Sequence, residues 1–213
     1  MNLIKKGMNS NQICLVIVIV IMRGSYSGFS LQWLEFTILL RYSVYSDMKG
    51  LANRRWMMVR VSIGQDSHRF DFDNSEKKLI LGGIVLEGTP LMGNSDADVV
   101  LHALTNAVSG VTGVNILGAI ADKMCLEDGV TDSSAYLVEA MKHLKGSINH
   151  VSFSIECLVP KLSAHIPRMK AQIAQLLSID TSSIGITATT GEGLTDFGLG
   201  LGIQCFCVLT VSD

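Results

Sequence analysis

The chain of 213 residues is long enough to bury a substantial core in one domain or two small ones, and its charge is divided unevenly. Residues 1–57 carry seven basic and two acidic side chains, a net of +5, whereas 58–213 carry ten basic and seventeen acidic, a net of −7. An acidic body excludes a nucleic-acid partner, which needs a basic footprint, and a polyanionic substrate would need metal ions to neutralise it.

Lys5-Lys6 precede Ile13–Met22, a run of ten apolar residues. The run is too short for a stable membrane span but resembles the apolar region of a secretory signal. No small-residue cleavage site follows closely. The scarcity of acidic residues would also suit a plastid or mitochondrial transit segment. The expected reading is an N-terminal extension over 1–57, with Met57 or Met58 as the natural first residue. Five cysteines (Cys14, Cys125, Cys157, Cys205, Cys207) without paired spacing point to a reducing, cytoplasmic setting.

A first strand is predicted from Val59 to Gly64, leading into Asp66-Ser67-His68. Side chains two apart on a strand leave the same face, so Asp66 and His68 can converge on one ion. Val59, Val61 and Ile63 alternate with polar residues, which predicts a core on the odd-numbered face and the Asp66–His68 pair opposite it. After a polar loop, Asp71–Lys78, Leu79–Leu86 reads as two short strand pieces about the Gly82-Gly83 bend. A loop containing Pro90 and Gly93 follows. Ser95-Asp96-Ala97-Asp98 has the spacing of a capping box, with Ser95 as N-cap, ahead of a helix whose stripe is Val100, Ala103, Leu104, Ala107 and Val108. His102 lies off that stripe with Ser95, Asp98 and Asn106. Beside Asp66 and His68 it is the natural third ligand, with Asp98 four residues earlier expected to orient its other ring nitrogen.

Residues 113–129 are expected to hold a short helix and a flexible loop. A second long helix starts near Asp132-Ser133, with Leu137, Ala140, Met141 and Leu144 inward, and stops at Gly146. A strand with Val151, Phe153, Ile155 and Cys157 alternating inward ends at Pro160-Lys161. The last helix runs from about Pro167 to Ser178, its core side made by Met169, Ile173, Leu176 and Leu177. Strand Ile184–Thr190 opens into Thr189-Thr190-Gly191-Glu192-Gly193. The final strand, Ile203–Val211, is nearly continuous in apolar residues and so is expected at the sheet centre, with Cys205 and Cys207 as small buried hydrophobes. The predicted class is α+β: a mixed four-stranded sheet with helices mainly on one face.

Asp66, His68 and His102 would leave a tetrahedral zinc one open position, as a catalytic zinc requires. In the Thr189–Gly193 segment, glycines let the backbone approach an anion, threonine hydroxyls can donate to phosphate, and Glu192 offers a hard oxygen to magnesium or manganese. An ordinary glycine-rich turn is the alternative. Lys161 either adds a positive charge there or is simply solvated.

Five blocks resemble, in order, the 2-C-methyl-D-erythritol 2,4-cyclodiphosphate synthase family: G-Q-D-S-H-R-F at 64–70, L-I-L-G-G at 79–83, S-D-A-D-V-V-L-H-A-L at 95–104, P-K-L-S-A-H-I-P-R-M at 160–169 and A-T-T-G-E at 188–192. The resemblance covers nearly all of 58–213 and implies a homotrimer with active sites between adjacent subunits. It implies 4-diphosphocytidyl-2-C-methyl-D-erythritol 2-phosphate as substrate, its 2-phosphate attacking the β-phosphorus with loss of CMP. Zinc, or a similar divalent ion, would be held by Asp66, His68 and His102. Magnesium or manganese would bind the diphosphate and Glu192. Asp66, Ser67, His68, Asn94 and Ser95 would line the phosphate end of the substrate. The segment Cys157, Leu158, Val159, Pro160, Lys161, Leu162 and Ser163 would line the cytidine end with help from Thr189, and Thr190, Gly191 and Glu192 would also bind substrate. Thr190 and Asn94 would act on the transition state.

The chain departs from the family pattern at several places. Asn94 stands where the family usually has a histidine. Ala119-Ile120-Ala121 replaces an Asp-x-Gly triplet, and the acidic loop downstream is poorly matched around Met124–Asp128. Asp196 and Leu199 replace an aromatic residue and an arginine of the trimer's central cavity. Two rival readings of the residues are a zinc hydrolase with Asp98 as base and a non-catalytic trimer stapled by metal.

Overall fold

The computed structural model describes residues 58–213 apart from Ser75. The apolar run and the charge pattern of the first 57 residues lie outside the described part.

The elements, in order, are β1 (Val59–Arg69), β2 (Leu79–Leu81), β3 (Ile84–Leu86), α1 (Val99–Thr112), α2 (Ala119–Leu126), α3 (Ser133–Met141), β4 (Ser147–Glu156), α4 (Ile166–Leu177), β5 (Ile184–Thr189) and β6 (Gly202–Ser212). The main sheet has the order β1-β6-β4-β5. β6 runs antiparallel to both its neighbours, while β4 and β5 are parallel and joined through α4. The α+β class, the mixed four-stranded sheet and the central place of the last strand match the sequence pattern. β6 is central although only alternate residues are deeply buried: Ile203, Cys205, Cys207, Leu209 and Val211 are inaccessible, whereas Phe206 and Val208 face outward.

The expected face of β1 is reversed. Val59, Val61 and Ile63 are exposed, and the even-numbered residues from Ser62 to His68 lie under α1. The reason is backbone packing. A Cβ on Gly64 would come 2.0 Å from the Ala103 carbonyl oxygen and 2.4 Å from the Ala107 nitrogen, so the helix rests directly on the strand there. Ser62 Oγ donates to the Ala107 carbonyl at 2.6 Å, and Asn106 Nδ2 donates to the Gln65 carbonyl at 3.0 Å. Alternation correctly gave two faces, but apolar character did not say which face the chain itself covers. The uncovered face keeps an apolar patch of Val61, Ile63, Phe206 and Val208, with Ile63 paired to Val208 across the strands.

The expected stripe on α1 is fully buried, joined by Val99 and Leu101. The cap is not the expected one. Asp98, not Ser95, is the N-cap, and its Oδ1 accepts from Val100 N at 3.0 Å and Leu101 N at 3.1 Å. The same carboxylate accepts from Gly82 N at 2.9 Å and Gly83 N at 2.6 Å. Those glycines form the β2–β3 turn at φ +62° and +74°, the paired positive values that a tight hairpin of this twist requires. Two backbone donors from another element therefore favoured Asp98 over Ser95, a long-range demand with no local sequence signal.

Candidate metal and phosphate site

β1 delivers Asp66 and His68 to the side covered by α1, where His102 meets them. Their ligand atoms all lie within 4.8 Å of one another. Asp66 Oδ2 is 3.0 Å from His102 Nδ1 and 3.2 Å from His68 Nε2, and the two imidazole centroids are 5.6 Å apart. Ligands of a tetrahedral zinc lie about 3.3 Å from one another, which is close to the spacing of the Asp66 oxygen from each imidazole nitrogen.

The electrostatics agree with that grouping. Burial pushes the Asp66 carboxyl upward, but hydrogen bonds and charge from His102 and His68 outweigh it and hold the group well below the usual carboxylate range. The hydrogen bond to Asp66 outweighs burial at His68 and raises its imidazole above the usual value of 6.5. Lys77 Nζ donates to the carbonyls of Leu91 at 2.7 Å and Gly93 at 3.1 Å, tying down the loop that carries Asn94 and Ser95.

The triad sits at one end of a cleft of about 350 Å³ lined also by Asn94, Ser95, Asn106, Ala121, Asp122, Cys125 and Tyr136. Asn94 and Ser95 thus stand with the triad. Ser67 points to the other face and borders a smaller hollow of about 220 Å³ with Arg69, Asp196 and Phe197.

The role expected of Asp98 is corrected. Turned to the β2–β3 hairpin and wholly buried, it does not reach the His102 ring, whose second nitrogen is instead 2.9 Å from Ser133 Oγ. Burial lifts the Asp98 carboxyl to about 6 against the backbone donors of Gly83, Gly82 and Leu101. Its enclosure also removes it as the base a zinc hydrolase would need.

The other expected residues gather elsewhere. Register places Asp66 opposite Cys205, Cys205 opposite Ile155, and Ile155 opposite Ala188. The Asp66–His68 pair of the triad and the end of β5, where the Thr189–Glu192 segment begins, therefore lie at the same end of the sheet on its two outer strands, about 14 Å apart across three strand spacings. Beyond β4, Cys157 and Leu162 are buried, while Leu158, Val159, Lys161 and Ser163 are exposed and Pro160 is half-buried. Cys157 N donates to the Thr189 carbonyl at 3.1 Å, joining this segment to the end of β5. Gly191 N donates to Thr189 Oγ1 at 3.2 Å, and a Cβ on Gly191 would lie 2.0 Å from Glu156 Oε1. Glu192 is exposed in the left-handed region at φ +50° and does not line the triad's cleft. Thr190 is half-buried at the start of the same turn. The residues thus form two groups in one chain, a metal end and a glycine-loop end.

Ser133 and Asp96 next to His102 were not singled out from sequence. Ser133 read as the start of a helix, and 31 residues separate it from His102, so only the tertiary fold brings them together.

The sequence profile of the YgbB family matches residues 59–212. The 2-C-methyl-D-erythritol 2,4-cyclodiphosphate synthase of Chlamydia caviae is 50% identical over 166 residues, covering 76% of this chain and 94% of that protein. The synthase of the same name from Chlamydia trachomatis serovar D is also 50% identical over 166 residues, with 76% and 93% covered. Among solved structures, IspF of Plasmodium falciparum in complex with CDP superposes with a TM-score of 0.62 at 25% identity, over 74% of this chain and 97% of that one. The bifunctional IspDF of Campylobacter jejuni gives a TM-score of 0.66 at 25% identity, over 74% of this chain and 43% of that one. A profile match across nearly the whole described region, relatives at half identity and a shared fold lead to one statement: the chain belongs to the YgbB family, among the 2-C-methyl-D-erythritol 2,4-cyclodiphosphate synthases.

Proposed function

We propose that this chain converts 4-diphosphocytidyl-2-C-methyl-D-erythritol 2-phosphate to 2-C-methyl-D-erythritol 2,4-cyclodiphosphate and CMP, as a cyclising phosphorus–oxygen lyase of non-mevalonate isoprenoid synthesis. The observation that carries the reading is the convergence of Asp66, His68 and His102 in an open cleft, in a chain half identical to synthases of that name.

An oxygen of the substrate's 2-phosphate forms a bond to the β-phosphorus, and the bond from that phosphorus to the bridging oxygen breaks. The electron pair leaves with CMP. No protein nucleophile is needed, so the residues orient the phosphates and stabilise charge. A divalent ion bound by the triad supplies Lewis-acid neutralisation of the diphosphate. Asp66, His68 and His102 fit zinc as a donor set, and Glu192 is assigned to magnesium or manganese on the diphosphate. Asn94 and Ser95 present an amide and a hydroxyl to the phosphate end. Thr190 donates to the developing phosphate charge, while Lys161 and its neighbours take the cytidyl end. The amide of Asn94 gives a hydrogen bond without a positive charge, leaving charge neutralisation to the metals.

A homotrimer with sites between subunits explains why one chain holds the two groups on opposite sheet edges. The exposed apolar face of Val61, Ile63, Phe206 and Val208 supports self-association. The catalytic unit is assigned to 58–213, with 1–57 as an extension. The four free described cysteines support a reducing cytoplasmic setting. Among the described residues, no helix is long and apolar enough to cross a membrane.

Purified protein loaded with zinc and magnesium, incubated with the cytidyl substrate and followed by phosphorus NMR, is expected to yield the cyclic diphosphate and CMP. A ring-open phosphate product would refute the cyclisation, and absence of any turnover would refute catalysis.

A further inference from the structure

The His102 ring is held from both sides by groups that end on carboxylates. Nδ1 faces Asp66 Oδ2 at 3.0 Å, and Nε2 lies 2.9 Å from Ser133 Oγ. That hydroxyl is in turn bonded to Asp96 Oδ1, while Ser133 N donates to Asp96 Oδ2 at 3.0 Å. Ser133 is fully inaccessible and His102 nearly so, which keeps water from substituting for the bond between them. The Asp96 backbone is fixed as well, its N–H donating to the Thr131 carbonyl at 2.8 Å.

The direction of this chain follows from counting hydrogens. The Asp96 carboxylate has none to give and accepts from Ser133 through both oxygens. The serine hydroxyl has one, and it is committed to Asp96. Only lone pairs remain towards His102, so Nε2 must be the donor. When a metal displaces the proton that Nδ1 shares with Asp66, a ring that keeps its proton on Nε2 turns the Nδ1 lone pair to the ion.

We infer that Ser133 and Asp96 are positioning residues that hold His102 as its Nε2–H tautomer, aiming Nδ1 at the metal of the Asp66–His68–His102 site. The inference rests on the metal reading of that triad given above. Neither residue lines the triad's cleft; both act through the imidazole. Hydrogen-bond partners of metal-bound histidines fix ring orientation and raise ligand basicity in the same way.

The test uses the full chain. Zinc affinity is measured by competition with a chromophoric chelator for the unaltered protein, Ser133→Ala and Asp96→Asn, alongside the thermal midpoint of each metal-free form. Nitrogen-15 NMR of the zinc-loaded unaltered protein then reads the His102 tautomer directly. Expected are zinc affinities weakened about 10- to 100-fold in both variants, beyond any change in fold stability, and an Nε2 that carries the proton. Ser133→Ala binding zinc within twofold of the unaltered chain would overturn the positioning role, as would a proton found on Nδ1. If a variant does not fold, the NMR result on the unaltered chain decides alone. An unaltered chain that takes up no zinc would refute the metal reading, whereas normal uptake with an unaffected Ser133→Ala refutes only the role given to Ser133 and Asp96.

Discussion

Gly64→Ala is expected to damage the metal site although Gly64 supplies no ligand. The added Cβ would stand 2.0 Å from Ala103 O and 2.4 Å from Ala107 N, where real Cβ contacts are essentially never under 3.0 Å. Both obstacles are helix backbone, so neither can rotate away. Bringing the first contact from 2.0 to 3.0 Å requires α1 to retreat from β1 by about 1 Å, the difference between those two distances. His102 precedes Ala103 on the helix and retreats with it, taking its 3.0 Å separation from Asp66 to about 4 Å. Metal sites tolerate only about 0.2 Å of such error. Overpacking of this kind costs about 1–3 kcal/mol, equivalent to a fall in Tm of roughly 2–12 °C for a domain of this size. Differential scanning calorimetry of the metal-free protein and a zinc competition assay give the two readouts. A Gly64→Ala variant with unchanged Tm and unchanged zinc affinity would refute the direct contact between helix and strand.

Four further outcomes are expected. Zinc affinity should rise with pH through the raised His68 value, because the ring must shed its proton to ligate, by about tenfold per pH unit per proton displaced below that value. In the metal-free protein the sign is opposite for the same group: stabilisation by the imidazolium is complete below 6.5 and is lost as pH rises through the folded value. The Asp66 contribution is present above 3.8 and lost only as pH falls through its depressed value, so urea titrations across pH separate the two. Asp98→Ala should cost about 3–5 kcal/mol by urea unfolding, since it removes a helix cap and strands the Gly82 and Gly83 N–H groups; a loss under 1 kcal/mol would contradict that dual role. Ile63→Asp should shift the protein to a smaller species in sedimentation equilibrium, and an unchanged mass would remove the exposed sheet face from the assembly.

The fold was readable where burial follows local periodicity. The α1 stripe, the β4 alternation and the Gly82-Gly83 turn each satisfy a short-range rule, and each formed as that rule requires. Asp66 and His68 were legible as partners because two residues along a strand set a shared direction, and His102 because its polar edge had no place in the core. The β1 face runs against its periodicity because Val59, Val61 and Ile63 are apolar and yet exposed among the described residues. Asp98 took the capping role expected of Ser95, because two amides about 15 residues away claim the Asp98 carboxylate. Ser133 carried no signal at all: a serine beginning a helix looks the same whether or not a histidine ring lies against it.

The placement of the metal triad beside β1 and of the glycine loop just after β5, on opposite edges of the sheet, has a genetic consequence in the proposed trimer. Damage at one sheet edge leaves the other edge of the same chain intact. In the homotrimer proposed above, whose sites straddle neighbours, a subunit carrying His102→Ala would still offer its Lys161 and Thr190, and a subunit carrying Lys161→Ala would still offer its triad. Two alleles that are each inactive alone would then complement one another when co-expressed, since a mixed ring contains junctions where both contributing edges are whole.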